Sequence, residues 1–331
     1  MAAAFLRLIG LVISGYIIFH PQWMRRKLLP WLSAAIVNVL FPLYYVSRYG
    51  ISWDDAFSRG AHWMPLFFFM CVVTIYLQYL LVLWLLKHTR IFSRLQEENK
   101  SEFILLFAIH NVGYVPLPIL EAIAPEPILI FLFTYVMAYQ LIFWSFAVNI
   151  IKRVPGEPLQ MRFRLTIPFV GIASGIVLAA TGLYDYIPRI IASPVEQYSR
   201  LAMDGIMIVL GGILAGVPHE SLTRHKEFGP FLLVRQVLYP LVVLLAMLSL
   251  RLLFGGPSIL PGEPMTMADT WRWMQLFLVI EAAVPPATNI MIAIQNYGRP
   301  EQLPYSGSGI ILSYLGAAVT LPLFVVLGYY L

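Results

Sequence analysis

A single cysteine, Cys71, stands in 331 residues, which excludes intrachain disulfides, paired-thiol redox chemistry and cysteine-built metal sites. Charge is equally scarce. Only 12% of residues are Asp, Glu, Lys or Arg, too few to clothe a soluble globule of this length. The six histidines, at 20, 62, 88, 110, 219 and 225, fall mostly outside the apolar runs, and no HExxH pattern or pair of intramembrane carboxylates accompanies them. An intramembrane enzyme, which needs a nucleophile with its base or a metal cluster, is therefore not the expectation.

What the chain has in excess is apolar sequence. Hydrophobic residues make up 60%, and a mean hydropathy of +0.77 marks a polytopic membrane protein. With about 20 apolar residues per span, the sequence divides into ten: 4–20, 31–49, 64–86, 103–124, 127–151, 166–184, 198–217, 229–254, 273–297 and 305–330. The first 20 residues carry no small-residue cleavage site after the apolar run and are read as a span rather than a signal peptide. The remaining loops are too short for a soluble domain. Cys71 falls inside the third span as a buried, inert thiol.

Lys and Arg set the orientation. The loops after the odd-numbered spans hold 14 of them (Arg25, Arg26, Lys27, Lys87, Arg90, Arg94, Lys100, Lys152, Arg153, Arg162, Arg164, Arg224, Lys226 and Arg299), against 7 on the other side. The odd loops are thus expected in the cytoplasm of a cytoplasmic (inner) membrane, with both termini extracytoplasmic. The formal charge of +5 comes from these loops and points to anionic lipids as partners, not to nucleic acid. Trp23, Trp31, Trp53, Trp63, Trp271 and Trp273 lie near span ends, as interfacial anchors do.

Two spans are interrupted where a continuous helix is expected: His110-Asn-Val-Gly-Tyr-Val-Pro-Leu-Pro118 in the fourth and Glu281-Ala-Ala-Val-Pro-Pro-Ala-Thr-Asn289 in the ninth. Proline removes a donor and clashes with the preceding turn. The backbone groups so freed are tolerated at membrane depth only where protein or a wet cavity satisfies them. The break falls in the fourth span of each five-span half, residues 1–151 and 165–331, joined by a linker at 152–164. An odd number of spans per half makes the second half enter from the opposite side, the condition for an inverted repeat with a substrate site at the breaks.

The chain resembles the auxin efflux carrier (PIN-like) family, of the bile acid, arsenite and riboflavin transporter superfamily. The residues that carry this are Gly15-Tyr16, Val37-Asn38 and Phe41-Pro42, the whole of 110–118, Leu210-Gly211-Gly212, Arg235 with Pro240, 282–289 followed by Tyr297-Gly298, and Leu321-Pro322-Leu323. The central linker is short, as in prokaryotic members. The resemblance implies an all-α polytopic protein of ten transmembrane helices in a 5+5 inverted repeat, with broken helices 4 and 9 crossing. It also implies transport helices 3–5 and 8–10 moving elevator-like against scaffold helices 1, 2, 6 and 7, in a homodimer. The expected activity is secondary transport of a small organic anion, auxin-like or a mono- or dicarboxylate.

Half-helices that begin near the midplane would aim unpaired N–H groups and positive dipole ends at one spot, which favours an anion. Asn111 and Asn289 add donors and an acceptor each, Gly113 would allow close backbone approach, and Pro116, Pro118, Pro285 and Pro286 make the breaks. These seven are the expected substrate-binding residues. Glu281, whose carboxylate costs roughly 3 kcal/mol at such depth, is expected to couple transport, either as a proton carrier or as a sodium ligand beside free carbonyls at 283–286. His110 and Arg235 are expected gating or coupling partners, with Arg235 snorkelling towards the basic side or pairing there. Asp204 is expected to meet a structural partner or water. Thr74, Tyr76, Gln78, Gln140 and Ser145 read as interhelical polar contacts rather than ligands. No cofactor is expected beyond H+ or Na+. A sodium symporter of the bile acid type and a non-transporting membrane sensor are the competing readings.

Overall fold

The structure is a computed structural model and describes residues 2–60, 64–93, 95–152, 165–217, 225–254, 267–299 and 301–330. The expected linker from 153 to 164 lies outside the described residues, as do His62, Trp63, Arg94, His219 and Arg224. Among the described residues the fold is helical. Helix α1 spans Ala2–Ile18, and α2 (Gln22–Ala35) continues through a π-helical turn at Ile36–Leu40 into α3 (Phe41–Gly60). Next come α4 (Met64–His88), α5 (Lys100–Ala108), α6 (Pro116–Ile123) and α7 (Glu126–Ile142), which runs through a second π turn into α8 (Val148–Lys152). The rest of the chain forms α9 (Ile167–Ala180), α10 (Arg189–Ser199), α11 (Leu201–Leu214), α12 (Phe228–Leu232), α13 (Tyr239–Phe254), α14 (Met267–Ala283), α15 (Asn289–Tyr297) and α16 (Gln302–Tyr330).

Each expected span contains helix, and both expected breaks are real: α5 stops at Ala108 and α6 starts at Pro116, while α14 stops at Ala283 and α15 starts at Asn289. Five helical stretches among the described residues are long and apolar enough to cross a membrane unaided: Gln22–Asp54, Met64–His88, Ile128–Lys152, Phe228–Leu253 and Gln302–Tyr330. The broken spans fall short because each is two pieces, and α11 because its helix is 14 residues long. Pro42 and Pro240 explain two π turns. A proline has no N–H to give the carbonyl one turn back, and the aromatic residue before it reaches five residues back instead, Phe41 to Ile36 and Tyr239 to Val234.

The described residues form two compact units, Met1–Val73 with Gly113–Val217, and Thr74–Val112 with Pro218–Leu331. This division by packing cuts across the two halves of the sequence and falls inside the first break. In the first unit α1 lies against α11 and α3 against α9, both through glycine. A Cβ on Gly15 would sit 2.0 Å from the Ile208 carbonyl oxygen and one on Gly211 2.0 Å from that of Val12, so these backbones touch in a way only glycine permits. Gly171 does the same against Pro42, where a Cβ would come within 2.6 Å of Cα. Arg7 adds a charge link between α1 and α11, donating to Asp204 at 2.7 and 2.6 Å, which supplies the partner expected for Asp204.

Aromatic rings fill the centre of the first unit. Tyr114 stacks on Phe41 at 5.6 Å, Phe41 on Tyr45 at 5.7 Å, and Phe133 meets Tyr45 edge-on at 5.0 Å. Beside them Arg48 donates to Glu121 at 2.7 Å and lies over the Tyr44 ring. Cys71 is buried. Helix α10 was not anticipated, because its apolar residues are spaced along an amphipathic face rather than in a run; Ile190 and Ile191 are left exposed. Trp23, Trp31 and Trp271 are exposed, as anchors are, whereas Trp273 is buried at 8% exposure and belongs to the core instead.

Candidate functional site

The two breaks meet in the second unit, backbone to backbone. After Ala108 the chain leaves the helix at Ile109 in an extended conformation, and His110 forms an isolated antiparallel bridge with Pro286. The Asn111 N–H donates to the Pro285 carbonyl at 2.8 Å, and the Ala287 N–H donates to the Ile109 carbonyl at 3.0 Å. Each break therefore satisfies groups that the other has freed, which is how an interrupted backbone survives away from water. Pro285 and Pro286 have no donors of their own, so from this break Pro285 contributes a carbonyl and the N–H comes from Ala287.

Arg235 closes the helix ends that stop there. Its Nε donates to the Phe107 carbonyl at 3.2 Å and its Nη1 to the Ala282 carbonyl at 2.7 Å. Both oxygens belong to the last turns of α5 and α14, where carbonyls lack intrahelical partners and the dipole is negative. One guanidinium thus caps two half-helices. Its carbon lies 5.4 Å above the Tyr239 ring, and the side chain is wholly buried. This corrects the expectation of a snorkelling arginine: the π turn at Leu233–Leu238 turns Arg235 inward, and the planar fork matches two carbonyls as an ammonium would not. Gln78 reinforces it. With its amide nitrogen facing the α5 terminus, it donates to Phe107 and Ala108 carbonyls at 3.2 and 3.1 Å and accepts from the Tyr239 hydroxyl at 2.9 Å.

Glu281 and His110 complete the cluster. Glu281 Oε2 lies 3.3 Å from His110 Nε2, and both side chains are essentially inaccessible to solvent. Neither carboxylate oxygen makes a hydrogen bond, and Arg235 acts on both groups through space. Asn111 uses its side-chain amide to donate to the Tyr314 hydroxyl of α16. Asn289 is buried at the first position of α15.

The sequence-predicted residues therefore separate into two groups. His110, Asn111, Arg235, Glu281, Pro285 and Pro286 are brought together, with Asn289 three residues on from the bridge. Pro116 and Pro118 open α6 in the first unit and are buried there. Gly113 is also in that unit, and a Cβ on it would meet only Val136 Cγ2 at 3.8 Å; no close backbone approach requires glycine at this position. Sequence reasoning passed over Gln78, grouped with ordinary polar contacts, and missed Tyr239 and Tyr314 altogether. The one sequence signal for Gln78 is an amide in an otherwise apolar span.

Residues 165–325 match a family model described as Membrane transport protein. That stretch, a little under half of the chain, is similar to the members of that family. No curated protein matches the chain. The matched stretch carries Arg235, Glu281, Pro285, Pro286 and Asn289, and so includes one side of every backbone contact between the breaks. Beside that match stand interrupted helices paired to one another, a buried cation on their negative ends, and a carboxylate and imidazole alongside.

Proposed function

We propose that this membrane transport protein is a secondary transporter of a small organic anion bearing a carboxylate, bound where the two breaks meet. The observation that carries the reading is the reciprocal pairing of Ile109–Asn111 with Pro285–Ala287. It holds two interrupted spans in one place and leaves the N-terminal turn of α15, with Asn289, as an anion-seeking end. Asn111 is the candidate contact from the first break; Gly113, Pro116 and Pro118 position the start of α6.

An inverted 5+5 repeat accounts for the helix pairs of the first unit. If span 1 corresponds to span 6 and span 2 to span 7, then the close α1–α11 contact is the image of the close α3–α9 contact, and both are made through glycine. Elevator-type movement, a homodimer and a cytoplasmic-membrane location with outward termini follow from the resemblance and are part of the same proposal. Arg235 speaks against a sodium cage at Glu281. A guanidinium already sits on the neighbouring Ala282 carbonyl, and the Pro285 carbonyl, one of those expected to be free at 283–286, accepts from the Asn111 N–H. Glu281 with His110 is instead read as the coupling element, exchanging a proton.

Uptake of labelled monocarboxylates, dicarboxylates and indole-3-acetate into proteoliposomes tests the reading. Saturable flux that is driven by a pH gradient, indifferent to sodium and lost in Asn111→Ala is expected. Flux of none of these anions by folded protein, or flux unchanged in Asn111→Ala, would overturn it.

A further inference from the structure

The end of the second unit that bears the basic loops holds a buried carboxylate that the paired breaks do not use. Glu102, in the first turn of α5 and just before the span read from 103, is wholly buried, and neither of its oxygens has a hydrogen-bond partner. The start of α16 lies opposite. A Cβ on Gly309 would come within 2.5 Å of Leu106 Cδ1, which fixes where the two helices touch. One turn earlier along each stand Glu102 on α5 and Tyr305 and Ser306 on α16, with Gln302 a further turn back at the start of α16. Ser306 Oγ and Tyr305 Oη are buried and likewise make no hydrogen bond, and the Tyr305 ring is held 4.7 Å from the His225 ring and 4.9 Å from that of Phe228.

The charged groups around this carboxylate do not neutralise it. Arg299, exposed at the turn before α16, engages Gln302 Oε1 through its backbone N–H at 2.8 Å, and among the described residues no cation forms an ion pair with Glu102. Glu98 precedes α5, and Glu227, 3.5 Å from His225, precedes α12; the first adds repulsion to Glu102 and the second lies towards Tyr305. An ionised carboxylate that is dry and unpaired is strongly unfavourable. A neutral carboxyl is not, and its O–H and C=O match the serine hydroxyl, which both accepts and donates.

We propose that Glu102, together with Ser306 and Gln302, is a proton-binding site of this protein, separate from Glu281 and lying towards the side of the basic loops. Burial pushes its carboxyl up from the ordinary carboxylate value, against weaker pulls from its own backbone N–H, from Gln302 and from Arg299. A metal ion suits the place less well: hard cations take about six oxygens, and among the described residues no three His, Cys, Asp or Glu side chains are grouped to hold one. The folded protein then holds a proton that the unfolded chain releases. Its stabilising effect is complete at acid pH, below the unfolded value, and is lost as pH rises through the raised folded value.

Infrared difference spectra of the purified protein between about pH 5 and about pH 9 test this without any transport substrate, so the reading of the breaks can fail independently. The wild type is expected to lose a protonated-carboxyl band on alkalinisation. That band should be absent from Glu102→Gln, kept in Glu281→Gln, shifted but present in Glu102→Asp, and unmoved by sodium at fixed pH. In parallel, the melting temperature of the wild type should fall with pH more steeply than that of Glu102→Gln, by the equivalent of one proton. A band unchanged in Glu102→Gln with the same pH slope overturns the proposal. So does a band abolished by sodium at constant pH, which would make the site one for an alkali cation.

Discussion

Replacing Arg235 by leucine removes the group that joins the two interrupted helices, and the cost can be built up from its contacts. The side chain makes two bonds to helix-terminal carbonyls, at 3.2 and 2.7 Å, in a site with no solvent access. Hydrogen bonds to a charged group contribute about 1.5–3 kcal/mol each, and a buried acceptor left bare keeps its full desolvation penalty. Stacking over Tyr239 adds about 1 kcal/mol. Leucine returns part of this as apolar burial, about 2 kcal/mol, and Gln78 still holds the Phe107 carbonyl. A net loss of about 3 kcal/mol results, which is a large share of the stability of a domain. Thermal unfolding of the purified protein in one fixed detergent measures it. Arg235→Lys, whose ammonium cannot span both carbonyls in one plane, should fall between the two. Unfolding of Arg235→Leu at the wild-type temperature, with wild-type flux, would refute the capping argument.

Gly211→Val would drive a side chain into the Val12 carbonyl, where even a Cβ has only 2.0 Å; overpacking of about 3 kcal/mol or outright misfolding is expected, read as loss of monodisperse protein on size exclusion, whereas Gly10→Val, which meets nothing within 4 Å, should leave the profile unchanged. The Arg48–Glu121 pair is partly open to solvent, with Glu121 at 27% exposure, so a double-mutant cycle on melting should give a coupling of about 1 kcal/mol or less; a coupling of several kcal/mol would show that the site is dry. Pro285→Ala with Pro286→Ala gives the second break two N–H groups and lowers the resistance to a continuous helix; flux should drop at least about tenfold, the ratio that about 1.4 kcal/mol produces, while melting rises or holds, and a double variant with full flux would deny the break a role.

Much of this arrangement could be read from the residues, because interruption by Pro and Asn is visible in an otherwise apolar run. The limits of α5, α6, α14 and α15 follow the breaks at 109–115 and 284–288 closely. The joining of the breaks was expected only through the family resemblance, since no local pattern says that Asn111 N–H will find Pro285. Arg235 was visible as an arginine in a span, but its inward turn depends on a π turn, and that in turn on Pro240 five residues later. Tyr314 carried no signal and Gln78 only that of an amide in an apolar span, since a single polar residue on a membrane helix is compatible with any interhelical contact. Helix α10 escaped hydropathy because amphipathic spacing dilutes the window average.

Equilibrium binding of labelled carboxylate to detergent-purified protein, comparing the wild type with Asn111→Ala and Asn289→Ala, addresses the central claim that the paired breaks bind an anion. Loss of each amide should weaken binding about tenfold, the equivalent of about 1.4 kcal/mol, with melting temperature within the range of surface variants. Wild-type affinity in both variants, for an anion that the protein measurably binds, would place the substrate elsewhere and contradict the account.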